Sequence, residues 1–150
     1  MKVAIASDHR GFELKVKLLN ALGDKYDITD LGTYSNESAD YTKYGFKLGE
    51  AVAKREFEKG ILICGSGIGI SIAANKVKGI RCAKVSNKDE AYYTRNDNDA
   101  NVVAFGEKTS IDEAIEIVET FLNTPFSNID RYIKRINDIT LYEDGAYYDR

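Results

Sequence analysis

Apolar residues along the chain fall into five short runs, each followed by polar residues and then by a stretch with helical spacing. The runs cover residues 3–7, 26–31, 61–64, 80–85 and 100–105. Short, nearly continuous apolar segments of this kind are typical of strands that are buried on both faces of a parallel sheet. The pattern therefore predicts five strands that alternate with helices.

The helical stretches carry recognisable start and stop signals. Residues 12–23 and 41–55 have apolar positions at helical spacing, and Asp40 or Ser38 is expected to cap the second of these helices. Residues 86–90 and the pair Ser110 and Glu113 each place an acid three positions after a capping residue. A shorter helix is expected after the third strand, and the helix after the fourth is expected to end at the polar cluster 95–99.

The last part of the chain predicts one more helix and a tail. Pro125 ends the helix that begins after Ser110. Residues 129–139 then form a final helix, with Ile129, Ile133 and Ile136 on one face. Residues 140–150 are acidic and aromatic and are expected to form a C-terminal tail.

This order of elements predicts one fold class. Strands that alternate with helices give an open, doubly wound, Rossmann-like α/β fold, here a three-layer α/β/α arrangement around a five-stranded parallel sheet. At 150 residues the chain fits a single domain, residues 1–150 including the tail. Ligands bind such sheets beyond the carboxyl ends of the strands.

The segment 60–76 carries the strongest chemical signal. A buried strand ends on Cys64, a glycine-rich turn follows at residues 65–69, and a helix begins directly after it. Such a turn can direct several backbone N–H groups into one space beside a helix N-terminus, which suits an anion or a developing oxyanion. The spacing fits neither a dinucleotide fingerprint nor a Walker loop. Topology places Asp8, His9, Cys64 and Ser66 at the same sheet edge as this turn.

Composition narrows the classes of function. A net charge of −3 and an isoelectric point near 5.3 disfavour nonspecific binding to nucleic acid. Two cysteines, the lack of a signal peptide and the lack of an apolar run of membrane length predict a soluble, cytoplasmic protein with no membrane partner. A single histidine and the absence of paired ligand spacing argue against a structural zinc site.

Several motifs together resemble those of a known family. They are Ser7-Asp8-His9-Arg10-Gly11, ICGSGIGISIAANK, GIRCAKV, Asn98-Asp99-Ala100-Asn101-Val102 and FGE. They resemble the type B ribose-5-phosphate isomerases of the LacAB sugar-phosphate isomerase family. The resemblance implies interconversion of ribose 5-phosphate and ribulose 5-phosphate through a cis-enediolate, without a metal or another cofactor. It also implies a homodimer or a dimer of dimers whose active sites are shared between subunits.

The resemblance assigns the chemistry to the middle motif. In that family the cysteine before the glycine loop carries the proton between C2 and C1, and Cys64 matches it. The amides of Gly65, Gly67, Ile68 and Gly69 would stabilise the enediolate. Ser66 would hold Cys64 or a sugar hydroxyl. Without the resemblance, Cys64 would more often be a core thiol and the glycine run a tight turn.

The resemblance also assigns substrate contacts. Asp8 matches the aspartate that contacts the sugar hydroxyls and the ring oxygen, His9 a histidine near the phosphate, and Tyr41 the tyrosine of an Asp-Tyr pair. Asn98 matches a substrate-contacting asparagine expected from the partner subunit. The two family arginines that grip the phosphate correspond to Arg131 and Arg135.

Thr42, which follows Tyr41, stands where the family commonly has proline, and two other departures from the family pattern matter more. Asp97 stands where the family has its ring-opening histidine, and Lys108 stands where an arginine often joins the phosphate site. One hypothesis is that Asp97 or Asp8 opens the furanose ring. Another is that the chain is a subunit of a galactose-6-phosphate isomerase. Such subunits tend to lack the pattern of Arg131 and Arg135, which this chain retains, so the self-sufficient pentose enzyme is preferred. An allose-6-phosphate isomerase and a non-catalytic sugar-phosphate-binding partner stay as further alternatives.

Overall fold

The computed structural model describes residues 1–149 and has a parallel five-stranded sheet at its centre. Arg150, the last residue of the expected tail, lies outside the described residues. The strands are β1 (Lys2–Ser7), β2 (Asp27–Asp30), β3 (Lys59–Cys64), β4 (Cys82–Lys84) and β5 (Val102–Gly106). Their order in the sheet is β2-β1-β3-β5-β4, and every neighbouring pair is parallel. The predicted fold class is confirmed.

Residues 1–149 form six α-helices, of which the first five pack on the sheet. They are α1 (Phe12–Leu22), α2 (Tyr41–Ala53), α3 (Ile68–Asn75), α4 (Lys88–Asn98), α5 (Ile111–Asn123) and α6 (Asp130–Glu143). A short 3₁₀ turn, Tyr147–Asp149, follows α6. Among residues 1–149, no helix has both the length and the apolar character that a membrane span requires.

Alternation along the strands divides the core into two layers. Val3, Ile5 and Ile61 face α1, α4 and α5, whereas Ala4 and Leu62 face α2 and α3. All five of these side chains are fully buried. Burying a valine, leucine or isoleucine side chain stabilises the fold by about 1.5–3 kcal/mol, so the two apolar layers fix which helix covers which face.

Two helix starts follow the predicted capping chemistry, and one does not. The Asn87 side chain accepts a hydrogen bond from Glu90 N, and the Ser110 side chain accepts one from Glu113 N. Asp40 occupies the cap position of α2, but its side chain makes no capping hydrogen bond. The start of α2 is therefore set by packing rather than by a side-chain cap.

The helix α4 ends within the predicted polar cluster, at Asn98, and Asp99 then adopts a left-handed conformation with φ +47°. Arg95 is buried, and its guanidinium donates to the backbone oxygens of Thr124 and Ala100. These tertiary partners stabilise a last helical turn that the local sequence does not favour.

The final helix was predicted too short. It begins at Asp130 and runs to Glu143, four residues beyond the predicted end. No residue of α6 is buried in the single chain, and Ile139 and Tyr142 are exposed. An amphipathic helix of this length with no buried residue leaves its apolar face without cover.

Candidate active site

Cys64 ends β3 at the carboxyl edge of the sheet, and the loop that follows returns to it. The backbone N–H of Gly67 donates a hydrogen bond to the Cys64 Sγ over 3.2 Å. Gly67 has φ +79°, and a Cβ at this position would lie 2.6 Å from the carbonyl carbon of Phe105. Only glycine combines this conformation with so close an approach to the next strand. The local sequence thus turns one amide directly onto the sulfur.

The loop then leads into α3. The Ser66 hydroxyl accepts a hydrogen bond from Ile68 N at 3.1 Å. In this structure Ser66 therefore supports the start of the helix and does not bond Cys64. The N-terminus of α3 contributes partial positive charge beside the thiol, as expected where an anion is to be held.

Asp8 follows β1 and lies at the neighbouring strand end. Its Oδ1 accepts hydrogen bonds from the backbone N–H groups of Arg10 and Gly11, both at 3.0 Å. The residue is only 5% exposed although it carries a carboxylate. These two bonds hold the carboxylate beside the start of α1, where the helix dipole favours negative charge.

The loop after β2 forms one wall of the site and is fastened at both ends. The fully buried Lys15 donates from Nζ to Asp30 Oδ1 at 2.6 Å and to the backbone oxygen of Thr33. At the other end, Nδ1 of His9 lies 3.2 Å from Ala39 N and accepts from it. Buried lysines need such partners, because desolvation penalises the ammonium.

These elements enclose a cleft of about 840 Å³ at the carboxyl edge of the sheet. Of the residues expected to act, the cleft is lined by Asp8, His9, Tyr41, Cys64, Gly65, Ser66, Gly69 and Lys108. The ring of Tyr41 packs on Gly69, where a Cβ would lie 2.8 Å from it. The structure therefore brings together eight of the residues singled out from sequence, drawn from four different chain segments.

Six of the expected residues do not line the cleft, and four of these lie elsewhere on the same chain. Asp97 and Asn98 are at the C-terminal end of α4, which runs back from the cleft edge and precedes β5, so they lie at the opposite edge of the sheet. Arg131 and Arg135 lie on α6. The segment just before α6 contacts α4, because the Ser127 hydroxyl donates to the backbone oxygen of Asn96. Gly67 and Ile68 do not line the cleft either, although their amides shape the loop.

The cleft also contains charged residues that sequence reasoning missed. Arg10, Lys84 and Glu113 line it, and Lys84 Nζ donates to Ser86 Oγ at 3.0 Å. The available signal was their position at or shortly after the end of a strand, or at a helix start. Lys15 was also missed, although a lysine among the inward positions Leu14 and Leu18 of α1 is unusual.

The two cysteines have different surroundings. Cys64 opens onto the cleft, whereas Cys82 lies on the edge strand β4, where burial raises the pKa of its thiol to about 12. A thiol that holds its proton so strongly is a poor base near neutral pH. Among residues 1–149, no group of three or more His, Cys, Asp or Glu side chains could hold a metal ion.

This fold and site define a class of protein: a parallel α/β protein with a thiol and an amide-lined loop in a cleft that suits an anionic, polyhydroxylated ligand. The model of the Ribose/Galactose Isomerase family matches residues 3–139. The chain belongs to this family.

Individual relatives agree with that assignment. Ribose-5-phosphate isomerase B of Escherichia coli is 40% identical over 144 residues, which cover 95% of this chain and 96% of the relative. The solved ribose-5-phosphate isomerase B of Clostridium thermocellum superimposes with a TM-score of 0.93 at 44% identity, covering 97% of this chain and 99% of that one. The enzyme of Mycoplasma genitalium, solved with bound ribulose-5-phosphate, superimposes with a TM-score of 0.87 at 35% identity, covering 95% and 96%.

Proposed function

We propose that this protein interconverts ribose 5-phosphate and ribulose 5-phosphate, with Cys64 as the base that moves the proton. The observation that carries the proposal is the position of Cys64 in the cleft, with its sulfur bonded to the amide of Gly67. The names of the relatives and the ribulose-5-phosphate bound to one of them support the same substrate.

The chemistry follows from the arrangement around the sulfur. In the thiolate form, Cys64 takes the proton from C2 of the open aldose, and the electron pair of that bond forms the C1–C2 double bond. The carbonyl electrons move to O1, which becomes negative. The thiol then returns the proton to C1, while the hydroxyl proton of O2 is transferred to O1. Backbone N–H groups at the start of α3 stabilise the negative charge on O1 of the enediolate intermediate.

The other residues of the cleft bind the substrate. Asp8 contacts sugar hydroxyls, because its carboxylate is held at the strand end next to Cys64. His9 and Lys108 act on the phosphate, and Tyr41 closes the wall over Gly69. Ser66 contacts a sugar hydroxyl from the mouth of the loop. A lysine at position 108 supplies charge to the phosphate but not the two-pronged contact of an arginine.

The site is completed by a second copy of the chain. Asn98, Arg131 and Arg135 lie away from the cleft of their own chain, and α6 has no buried residue. A two-fold pairing that covers α6 would bring these groups to the partner's cleft, since such an interface presents the same surface from both chains. We therefore propose a homodimer, alone or as half of a dimer of dimers.

A second candidate function deserves a direct test because of Asp97. This residue replaces the histidine expected to open the sugar ring, which is compatible with a galactose-6-phosphate isomerase subunit, an allose-6-phosphate isomerase or a sugar-phosphate-binding partner without activity. The purified protein should therefore be assayed side by side with ribose 5-phosphate, allose 6-phosphate and galactose 6-phosphate. Formation of ribulose 5-phosphate as the main reaction supports the proposal, and its absence refutes it.

The role of the sulfur is tested in the same assay. Cys64→Ser should lower kcat by at least about a hundredfold, because a hydroxyl is a far weaker base at neutral pH. Cys82→Ser serves as the matched control and should keep kcat within about twofold, since Cys82 lies outside the cleft. Equal activity of the Cys64→Ser variant and the parent would remove Cys64 from the mechanism.

A further inference from the structure

Arg10 is a cationic residue of the cleft whose guanidinium lies directly on the first residue of the amide loop. It follows His9 in the turn between β1 and α1 and lines the same cleft as Cys64. A Cβ built on Gly65 would lie 3.1 Å from both Cζ and Nη1 of Arg10. The missing side chain at position 65 thus makes room for the guanidinium.

Glu107 holds this guanidinium in place. Arg10 donates from Nε to Oε2 of Glu107 at 3.0 Å and from Nη2 to Oε1 at 3.1 Å, a two-pronged ion pair. Glu107 is itself fixed, because its backbone N–H donates to the backbone oxygen of Cys64 at 2.9 Å. The carboxylate and the loop that carries the thiol therefore keep a constant relative position.

The ion pair leaves one edge of the guanidinium available. Nε and Nη2 bond Glu107, and within residues 1–149 Nη1 has no hydrogen-bond acceptor. Glu107 raises the pKa of Arg10 most, and the nearby Asp8 and Cys64 raise it further, so the group remains charged at any working pH. The Arg10 side chain is 57% exposed, and an ion pair this exposed contributes little to folding stability. A contribution to folding stability therefore does not explain the ion pair of Arg10 and Glu107.

We infer that Arg10 contacts the substrate and donates from Nη1 to the sugar oxygen that becomes negative when Cys64 removes the C2 proton. The inference rests on the proposed isomerase function and adds a charged donor to the backbone amides at the same site. A guanidinium held in advance needs no reorganisation when the charge appears, which is where such donors lower a barrier most. Glu107 is the positioning residue that fixes its orientation.

The test measures kcat and KM for ribose 5-phosphate in Arg10→Met, Arg10→Lys and Glu107→Gln. Arg10→Met should lower kcat at least about tenfold and leave KM within about twofold, because the donor acts on charge that develops during the reaction. Arg10→Lys should recover part of the loss, since it keeps the charge but not the two-pronged pairing. Glu107→Gln should give an intermediate kcat.

Lys25→Met is the matched control. Lys25 pairs with Glu119, and the two side chains are 63% and 31% exposed, close to the 57% and 26% of Arg10 and Glu107. This pair lies outside the cleft, so its loss should leave kcat and KM unchanged. Thermal unfolding of all four variants should match the parent and exclude a general loss of structure.

The outcomes separate this inference from the proposed function. An active parent with an unchanged kcat in Arg10→Met overturns the inference alone. So does a raised KM at constant kcat, which would make Arg10 a ligand of the phosphate. If Arg10→Met does not fold, the inference stands or falls on whether Arg10→Lys lowers kcat. A parent that does not isomerise ribose 5-phosphate overturns the proposed function, and this inference with it.

Discussion

The backbone N–H of Gly67 points at the sulfur of Cys64 because Gly67 is in a left-handed conformation and lies against the backbone of Phe105. Gly67→Ala should therefore both strain the loop and move the amide. The left-handed conformation costs about 1–2 kcal/mol for a residue with a Cβ, and the overlap with β5 adds about 1–3 kcal/mol. Urea unfolding and kcat should both show the loss.

Gly79→Ala is the control for that variant. Gly79 also has a positive φ, of +92°, but the nearest atom to its added Cβ is 3.9 Å away. Only the conformational cost should appear, about 1–2 kcal/mol, with kcat unchanged. If the two alanine variants lose equal stability and equal activity, the contact with Phe105 does not set the loop geometry.

Removal of the buried Arg95 should destabilise the protein strongly. Its guanidinium donates to the backbone oxygens of Thr124 and Ala100 and pairs with Asp99 at 2.8 Å. Arg95→Met leaves these acceptors without their donor, so the free energy of unfolding should fall by about 3 kcal/mol.

The exposed pair of Lys134 and Asp138 provides a comparison with identical spacing. It also joins residues four apart over 2.8 Å, but the Lys134 side chain is 66% exposed against 8% for Arg95. Lys134→Met should cost less than about 0.5 kcal/mol. Comparable losses in the two variants would mean that burial is not what gives Arg95 its importance.

Cys82 should make the free energy of unfolding depend on pH in the alkaline range. Burial raises the pKa of its thiol from 9.0 to about 12 in the folded protein. Between these values the unfolded chain has lost the thiol proton and the folded chain has kept it, so the free energy of unfolding falls as pH rises. The fall is at most roughly 1.4 kcal/mol per pH unit.

The measurement compares the parent with Cys82→Ala under reducing conditions. Urea unfolding near pH 8 gives the loss from the smaller side chain alone, because the thiol is protonated in both states. Near pH 10 the advantage of the parent should shrink by about 1 kcal/mol. A difference between the two proteins that is independent of pH would contradict the prediction.

Two inactive variants should restore each other's activity if the site is shared between chains. Cys64→Ala removes the base from the cleft, and Asn98→Ala removes a group from the opposite edge of the sheet. After joint unfolding and refolding, mixed dimers contain one intact site, so roughly a quarter of the parental activity should return. A mixture as inactive as its components would show that Cys64 and Asn98 act in the same chain.

Asp97 should matter for the cyclic form of the substrate. If its carboxyl group moves the proton that opens the furanose ring, Asp97→Asn slows turnover, because an amide cannot take part in that transfer. Progress curves started with ribose 5-phosphate should then show a lower rate. An unchanged rate would assign ring opening to Asp8 or to another group.

The sequence was sufficient for the fold because the relevant signals are local. The apolar runs, the capping residues Asn87 and Ser110 and the turn after Cys64 each determine their own segment, and parallel topology then aligns the strand ends. The same logic places Asp8 and Cys64 at one edge of the sheet from the sequence alone.

Features that depend on residues distant in the sequence could not be predicted from local patterns. The burial of Arg95 depends on the backbone oxygen of Thr124, which lies 29 positions further along the chain. The ion pair of Arg10 and Glu107 joins residues 97 positions apart, and in sequence both resemble ordinary surface charges. The position of Asp97 and Asn98 at the far edge follows from the direction of α4, which a motif alone does not reveal.

The separation of Cys64 from Asn98 affects how mixed dimers of variant and wild-type subunits behave and how the protein can be inhibited. In the proposed dimer, each subunit contributes residues to two active sites. A subunit with an inactivating substitution would therefore lower the activity of a wild-type subunit paired with it. A molecule that dissociates the dimer would inhibit the protein without binding in either active site.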